Sequence, residues 1–221
     1  MRTDAMAQPA PWVIDRFGDK LAAELWHRVP MALAAAVRRA LDAHVASQMN
    51  TNHAFGSARW PLQYEELVTH LQALPNAMPI RPTRAFYQLI IVGGHVLLPW
   101  HYGKQAGVDM REVRPGKSLG LLARSILAHF GPEPRYQQMP LPSMPKDDDE
   151  PDVAQISEIL ANMNPPPKTI VVGYACNAHQ GLLRVCLGDA ALGMDGEFQW
   201  YHCDALPMPA VHVPEPRRGE V

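Results

Sequence analysis

Apolar residues spaced three and four positions apart along the first part of the chain predict amphipathic helices. The repeats cover residues 13–28, 33–45 and 61–74, and most charged residues lie off the apolar stripes. Pro30 is predicted to separate the first two helices, because a proline inside a helix removes a backbone hydrogen bond. Residues 50–59 have turn composition and no apolar period, so we expect an irregular connection there.

A β-hairpin is the clearest local feature of the chain. Within residues 86–101, two runs rich in aliphatic and aromatic residues flank Gly93-Gly94. Two glycines between such runs are typical of a two-residue turn, which places Val92 opposite His95. Side-chain alternation leaves both faces of this hairpin mostly apolar, so we expect it inside a sheet that is covered on both sides.

The second half of the chain combines two further helices with three strands. Apolar periodicity predicts the helices over 118–130 and 153–160. Strand-like runs follow at 168–176, 182–189 and 197–203, and the short polar turns between them predict an antiparallel meander.

These elements predict an α+β fold, with about five helices packed on a mainly antiparallel sheet of about five strands. The sheet is expected to combine the hairpin at 86–101 with the meander at 168–204, because an isolated hairpin is only marginally stable. We predict one domain over residues 12–205. An acidic, proline-rich insertion at 132–151 and a tail at 206–221 are expected to be flexible.

Composition narrows the class of protein. The chain has 221 residues, of which 47% are hydrophobic, 19% are charged and 22 are proline. The apolar content excludes a wholly disordered chain, and the lack of a glycine period excludes collagen. The net charge of −2 supplies no basic field for a polyanion, so nucleic-acid binding is not expected.

The sequence also bears on the compartment. No run approaches the roughly 18 consecutive apolar residues of a membrane-spanning helix, and residues 1–11 lack the apolar core of a secretory signal. The three cysteines are odd in number, and none lies in a C-x-x-C motif. We therefore predict a cytoplasmic protein with no membrane association and with reduced thiols.

The meander yields the sharpest chemical hypothesis. With Asp195-Gly196 as one turn and a five-residue loop as the other, the register places Thr169, Asp189 and His202 in one row on one face. A carboxylate beside an imidazole fixes its tautomer and raises its basicity, which prepares a general base. These three residues are the catalytic candidates. The alternative is structural, with the row satisfying polar groups at the end of a buried face, and solvent exposure of His202 separates the two interpretations.

A second candidate site precedes the helix predicted at 118–130. Gly116, Lys117 and Ser118 resemble the end of a phosphate-binding loop, but Arg111 stands where the full pattern requires a glycine. A helix start beside a lysine still attracts anions, so Lys117 and Ser118 are candidates for binding a phosphate or nucleotide cofactor. Ser118 as an ordinary helix cap is the alternative.

The cysteines and histidines predict no metal site. The meander register makes Cys186 and Cys203 diagonal neighbours about 7 Å apart, which is too far for a relaxed disulfide. Cys176 lies about 13 Å further along the strand, so we expect free thiols. The histidines show no metal-binding spacing.

The five tryptophans are dispersed along the chain, which favours ordinary core packing over a ligand pocket.

Three functions follow from these observations. The first is a non-enzymatic binding or regulatory protein that contacts a protein partner through the 132–151 loop or the C-terminal tail. The second is a small hydrolase or transferase that uses Asp189 and His202. The third is a phosphate or nucleotide binder at Lys117. The sequence identifies no particular cofactor.

Overall fold

The computed structural model describes residues 8–81, 86–116, 119–135 and 151–209. The helices are α1 (Pro11–Ser47), α2 (His53–Leu71), α3 (Leu121–Phe130) and α4 (Pro151–Ala161), with a 3-10 turn at Met110–Glu112. The strands are β1 (Ala77–Ile80), β2 (Leu89–Val92), β3 (His95–Gly103), β4 (Lys168–Asn177), β5 (Gly181–Leu192) and β6 (Phe198–Ala205). The fold is α+β, as predicted, and none of the described helices is long and apolar enough to cross a membrane.

The six strands form one sheet in chain order, from β1 to β6. The hairpin and the meander share this sheet, as predicted. Neighbouring strands are antiparallel except β3 and β4, which run parallel from the His95–Lys168 pair onwards. A parallel pair requires a crossover connection, and here the crossover contains the 3-10 turn, α3 and α4.

Two apolar cores lie on opposite faces of the sheet. On one face, side chains of α1 and α2 pack against residues such as Val92, Leu97 and Leu187. On the other face, side chains of α3 and α4 pack against residues such as Leu98 and Val171. The expectation that the hairpin is covered on both sides is confirmed, which explains why its strands are apolar on both faces.

The break predicted between the first two helices lies elsewhere: α1 continues through Pro30 and is kinked at Gly18. Pro30 is buried inside α1 and does not end it, whereas Gly18, with φ 73° and ψ 158°, is the non-helical residue within it. A proline in a helix interior costs about 3 kcal/mol, and burial of the apolar stripe that includes Val29 and Leu33 offsets that cost.

Two further boundaries differ from the prediction. Residues 50–59 were expected to be irregular, but α2 begins at His53 and buries Phe55, so Pro61 lies inside the helix. The short strand β1 was not predicted, because Pro75, Pro79 and Pro82 indicated an extended connection in this segment. Pro79 is compatible with β1 because this strand lies at the edge of the sheet, where a missing N–H faces outward at little cost.

In each strand pair of the meander the predicted register holds on one side of a bulge only. In the β5–β6 pair the bulge lies at Asp189/Ala190, so the residues from Ala190 to the turn are shifted by one position from the prediction. Asp189 lies opposite His202, as predicted. A bulge at Ala175/Cys176 shifts the β4–β5 register, so Val171 lies opposite Gly188. Thr169, two residues before Val171, therefore does not lie opposite Asp189, and side-chain alternation puts it on the other face of the sheet.

A close contact joins the crossover to the sheet. Met110 is fully buried in the 3-10 turn, and a Cβ added at Gly173 would lie 1.8 Å from its sulfur atom. The absence of a side chain at Gly173 thus creates the space that Met110 occupies.

We expect Gly173→Ala to lower the free energy of unfolding by about 1–3 kcal/mol, because the added methyl group overpacks the Met110 contact. The matched control is Gly103→Ala on the neighbouring strand, where a Cβ meets no atom within 4 Å. This control is expected to stay within about 0.5 kcal/mol of the wild type in urea unfolding. Equal effects of the two substitutions would contradict the packing argument.

Candidate functional site

The predicted pair of Asp189 and His202 lies in the middle of the β5–β6 ladder, beside the bulge at Asp189/Ala190. The Nδ1 atom of His202 is 3.7 Å from the Oδ2 atom of Asp189, which exceeds hydrogen-bond distance. The Asp189 side chain is 4% exposed and the His202 side chain is 43% exposed. The imidazole is thus accessible to solvent, whereas the carboxylate is sealed.

Arg16 of α1, and not His202, neutralises the buried carboxylate. Its Nη2 atom donates a hydrogen bond to Asp189 Oδ2. The Trp12 ring stacks on the His202 ring at a centroid distance of 5.0 Å, and Trp12 Nε1 donates to Asp204 Oδ2 at 2.6 Å. These contacts fasten the start of α1 to β5 and β6, and the ion pair with Arg16 favours the structural interpretation of Asp189. The exposure of the His202 ring, taken alone, favours the functional interpretation of that residue.

Thr169 does not complete the row. It is buried on the face opposite to Asp189, and its hydroxyl oxygen has no hydrogen-bond partner among the described residues. The hypothesis of a Thr169–Asp189–His202 chain is therefore wrong at Thr169, because the bulge at Ala175/Cys176 changes the face.

The candidate anion site at Lys117 and Ser118 lies outside the described residues. On either side of it, Arg124 of α3 donates hydrogen bonds to the carbonyl oxygens of Gly116 and of Leu119, the second at 3.0 Å. The guanidinium of Arg124 thus holds the loop that leads into α3.

The structure reveals a cavity that the sequence did not predict. Its volume is about 480 Å³, and it lies between α2, the end of β3 and the beginning of α3. It is bounded by residues of α2 (Arg59, Trp60, Gln63, Tyr64), of the segment before β2 (Phe86, Tyr87), of β3 (Pro99, Trp100, His101) and of the start of α3 (Leu119, Gly120, Leu121, Leu122, Ala123).

Four aromatic rings form one wall of this cavity, which we call the aromatic wall: Trp60, Tyr64, Phe86 and Tyr87. Contacting rings have centroid distances between 5.2 and 5.8 Å, within the range of favourable aromatic pairs. Trp60 and Phe86 are 41% and 67% exposed, whereas Tyr64 is buried. The exposed rings thus give the cavity an apolar entrance.

Helical spacing explains how α2 contributes to the site. Trp60, Gln63 and Tyr64 are three and four positions apart, so their side chains share one face of α2. Arg59 is four positions before Gln63 and reaches the same region. The result is a helix face that presents two aromatic rings beside polar groups.

A short chain of hydrogen bonds positions Arg59. Its Nη1 atom donates to the Tyr174 hydroxyl at 2.7 Å, and that hydroxyl donates to Gln63 Oε1 at 2.6 Å. Burial raises the pKa of Tyr174 and of Tyr64, so both phenols stay protonated at neutral pH. Among the described residues no carboxylate forms an ion pair with Arg59, so its charge is available to the cavity.

His101 contributes a neutral ring. Burial, followed by the charge of Arg59, lowers the pKa of its imidazole to about 4. Its Nε2 atom is 3.2 Å from the carbonyl oxygen of Cys176, which fits a neutral tautomer that donates to this carbonyl. Arg59 is therefore the cationic side chain among the described residues that line the cavity.

The beginning of α3 lies at the same cavity. Gly120 is its N-cap residue and has no side chain, so among the described residues no side chain caps the backbone N–H groups of the first turn. The positive end of the helix dipole adds to the charge of Arg59. The cavity thus combines apolar rings with a positive potential, which suits a flat ligand with an anionic group.

The sequence prediction missed this site because its parts come from separate regions of the chain. Trp60 and Trp100 were assigned to core packing on the ground that the tryptophans are dispersed, yet both line the cavity. The available signal was local. Residues 59–64 place an arginine, a tryptophan, a glutamine and a tyrosine on neighbouring positions of a helix surface.

We expect Arg16→Leu to lower the free energy of unfolding by about 3 kcal/mol, because it leaves the buried Asp189 carboxylate without its cation. His202→Ala is the matched control and is expected to cost less than about 1 kcal/mol, since His202 is exposed. Urea unfolding at neutral pH measures both. If His202→Ala costs as much as Arg16→Leu, the imidazole and not Arg16 holds the carboxylate.

We expect protonation of His101 to couple to stability at acidic pH. The unfolded chain binds a proton at this histidine below about pH 6.5, whereas the folded protein excludes it until about pH 4. The contribution of His101 is therefore complete above the unfolded pKa and is lost as the pH falls towards the folded pKa.

An NMR titration of the His101 ring is expected to give a midpoint near 4. In urea unfolding, the free energy of unfolding of the wild type is expected to fall relative to that of His101→Gln as the pH is lowered from about 6.5 to about 4. A ring midpoint at the ordinary histidine value would contradict the burial argument.

Comparison of the chain with protein-family models, with curated proteins and with solved structures found no match. Three features of the structure bear on function. They are the aromatic wall, the Arg59 guanidinium, which has no carboxylate partner among the described residues, and the cavity that both of them border.

Proposed function

We propose that the protein is a binding protein for a small ligand that carries a flat apolar ring system and an anionic group. The observation that supports this proposal is that the aromatic wall and Arg59 border the same cavity. This proposal keeps the predicted class of non-enzymatic binding protein and changes the partner from a protein to a small molecule. The loop and tail through which a protein partner was predicted lie mostly outside the described residues.

The size of the cavity fits this ligand class. Small-molecule sites in proteins have volumes of about 300–1,000 Å³ and combine apolar and aromatic walls with a few polar groups. The cavity of about 480 Å³ lies within that range. Burial of a ring against Trp60 and Tyr64 supplies apolar contact, and the exposed Phe86 can cover the ligand from the entrance.

The charge of the cavity favours an anion over a cation. Arg59 presents a planar guanidinium, which suits the two oxygens of a carboxylate, phosphate or sulfonate. Arg59 donates a hydrogen bond to the Tyr174 hydroxyl, and this hydroxyl is itself fixed by its hydrogen bond to Gln63. The guanidinium is therefore held in position before a ligand binds. Such positioning reduces the entropy cost of binding.

Binding is better supported than catalysis. The neutral His101 interacts with a backbone carbonyl, and burial keeps the phenols of Tyr64 and Tyr174 protonated. These groups are therefore better suited to hydrogen bonding with a ligand than to proton transfer in a reaction. The alternative hydrolase or transferase is weaker because Arg16 occupies the Asp189 carboxylate and the His202 ring lies 3.7 Å away. Neither residue lines the cavity.

The probe for this proposal is anilinonaphthalenesulfonate, a flat aromatic anion whose fluorescence increases in an apolar site. N-phenylnaphthylamine has the same rings without the sulfonate and serves as the neutral comparison. We expect saturable binding of the sulfonate to the wild type. A constant near-ultraviolet circular dichroism spectrum verifies that the protein stays folded, because this dye also binds partly folded states.

We expect Arg59→Gln to weaken binding of the sulfonate by about tenfold or more, because a hydrogen bond to a charged group contributes about 1.5–3 kcal/mol. The same variant should change binding of the neutral probe by less than about twofold. Trp60→Ala should weaken both probes. Arg38→Gln, on the exposed surface of α1, is the charge-matched control and is expected to bind like the wild type. Equal binding of the sulfonate by Arg59→Gln and Arg38→Gln would refute the proposal.

A further inference from the structure

The cysteines of the meander form a pair on the face of the sheet away from α1. Gly188 lies opposite Cys203 and Cys186 lies opposite Ala205, so the two cysteines are diagonal neighbours on one face. Both thiols are free, and each shifts the pKa of the other. Cys186 is buried and Cys203 is half-buried, so solvent reaches the pair from the side of Cys203.

The surroundings of the pair favour one thiolate. The hydrogen bond from Cys203 is the largest cause that lowers the pKa of Cys186, to about 7, and Arg184 adds to this effect against the cost of burial. Tyr102 also lowers the pKa of Cys186, to a smaller extent. The thiolate is the reactive form of cysteine, so the pair is prepared for oxidation at neutral pH.

Cys176 provides an internal comparison. It lies on the other face of the sheet, in the core beneath α1 and α2, where burial raises the pKa of its thiol to about 11. A buried thiol that stays protonated is inert. The three cysteines therefore divide into one reactive pair and one unreactive residue.

A metal is not the ligand that this pair favours. Among the described residues no group of three or more His, Cys, Asp or Glu side chains could hold a metal ion. Two thiols that contact each other have a simpler reaction, which is the formation of a bond between their sulfur atoms.

We propose that Cys186 and Cys203 form a redox-responsive dithiol that hydrogen peroxide, or another small peroxide, oxidises reversibly to a disulfide. The Cys186 thiolate attacks one peroxide oxygen, which breaks the O–O bond and gives a sulfenic acid and hydroxide. The Cys203 sulfur then attacks the sulfenic sulfur, and the displaced hydroxide leaves as water after taking up the thiol proton. Two thiols and one hydrogen peroxide thus give one disulfide and two water molecules, and the two electrons reduce the peroxide.

The position of the pair in the sheet favours reversibility. A diagonal pair must approach more closely than its resting separation to form a disulfide, and strained disulfides are reduced more readily than relaxed ones. Among the described strands β6 pairs with β5 alone, so it is freer to move than a central strand. The product is therefore expected to return to the dithiol under mild reduction.

The experiment uses the full chain at neutral pH with a modest excess of hydrogen peroxide. Thiol counting and peptide mass spectrometry after alkylation are expected to show loss of two thiols, a Cys186–Cys203 link and an alkylated Cys176. Dithiothreitol should restore all three thiols. Near-ultraviolet circular dichroism recorded before oxidation verifies that the starting protein is folded.

Matched variants separate this proposal from nonspecific oxidation. Cys176→Ser should form the disulfide at the wild-type rate, whereas Cys203→Ser should stop at a sulfenic acid that dimedone traps on Cys186. Arg184→Gln should slow oxidation severalfold, because it removes a cation that favours the thiolate. Cys203→Ala provides the same test if the serine variant does not fold. Similar oxidation rates for all three cysteines, a link that includes Cys176, or no disulfide at all would overturn the proposal.

Discussion

The parallel ladder between β3 and β4 is the interaction on which the rest of the structure depends. It joins the hairpin half of the sheet to the meander half, over the register from His95–Lys168 to Gly103–Ala175. Antiparallel neighbours can be joined by a short turn, but parallel neighbours need a crossover. The described helices between these strands, α3 and α4, therefore lie on one face of the sheet, and α1 and α2 cover the other. Central strands buried on both faces must be apolar on both faces.

The same ladder determines where the cavity lies. The second half of β3 contributes Trp100 and His101 to the cavity, and α3, within the crossover that follows β3, begins there. In sheets with parallel strands, ligands commonly bind beyond the carboxyl ends of those strands. Tyr174, on the parallel neighbour β4, supplies the hydroxyl that receives the Arg59 hydrogen bond. The position of the candidate site is thus a consequence of one non-local pairing.

Local rules predicted much of the fold and little of the site. The Gly93-Gly94 turn and the pairing of Asp189 with His202 follow from turn chemistry and side-chain alternation, and both are correct. The bulge at Ala175/Cys176 has no sequence signature in a run of apolar residues, and it moved Thr169 to the other face. The aromatic wall was missed because Trp60 and Phe86 are distant in the sequence and come together only in the tertiary structure. Arg59 and Tyr174, 115 residues apart, meet for the same reason.

The two margins of the sheet differ in what they offer to another strand. At β1, Pro79 removes one backbone donor, so a strand that approached this margin would find an interrupted row of hydrogen-bonding groups. At β6 the described strand from Phe198 to Ala205 contains no proline. Growth of the sheet by strand addition is therefore disfavoured at one margin by the covalent structure of a single residue. The two edges of the sheet therefore differ in their capacity to pair with an added strand.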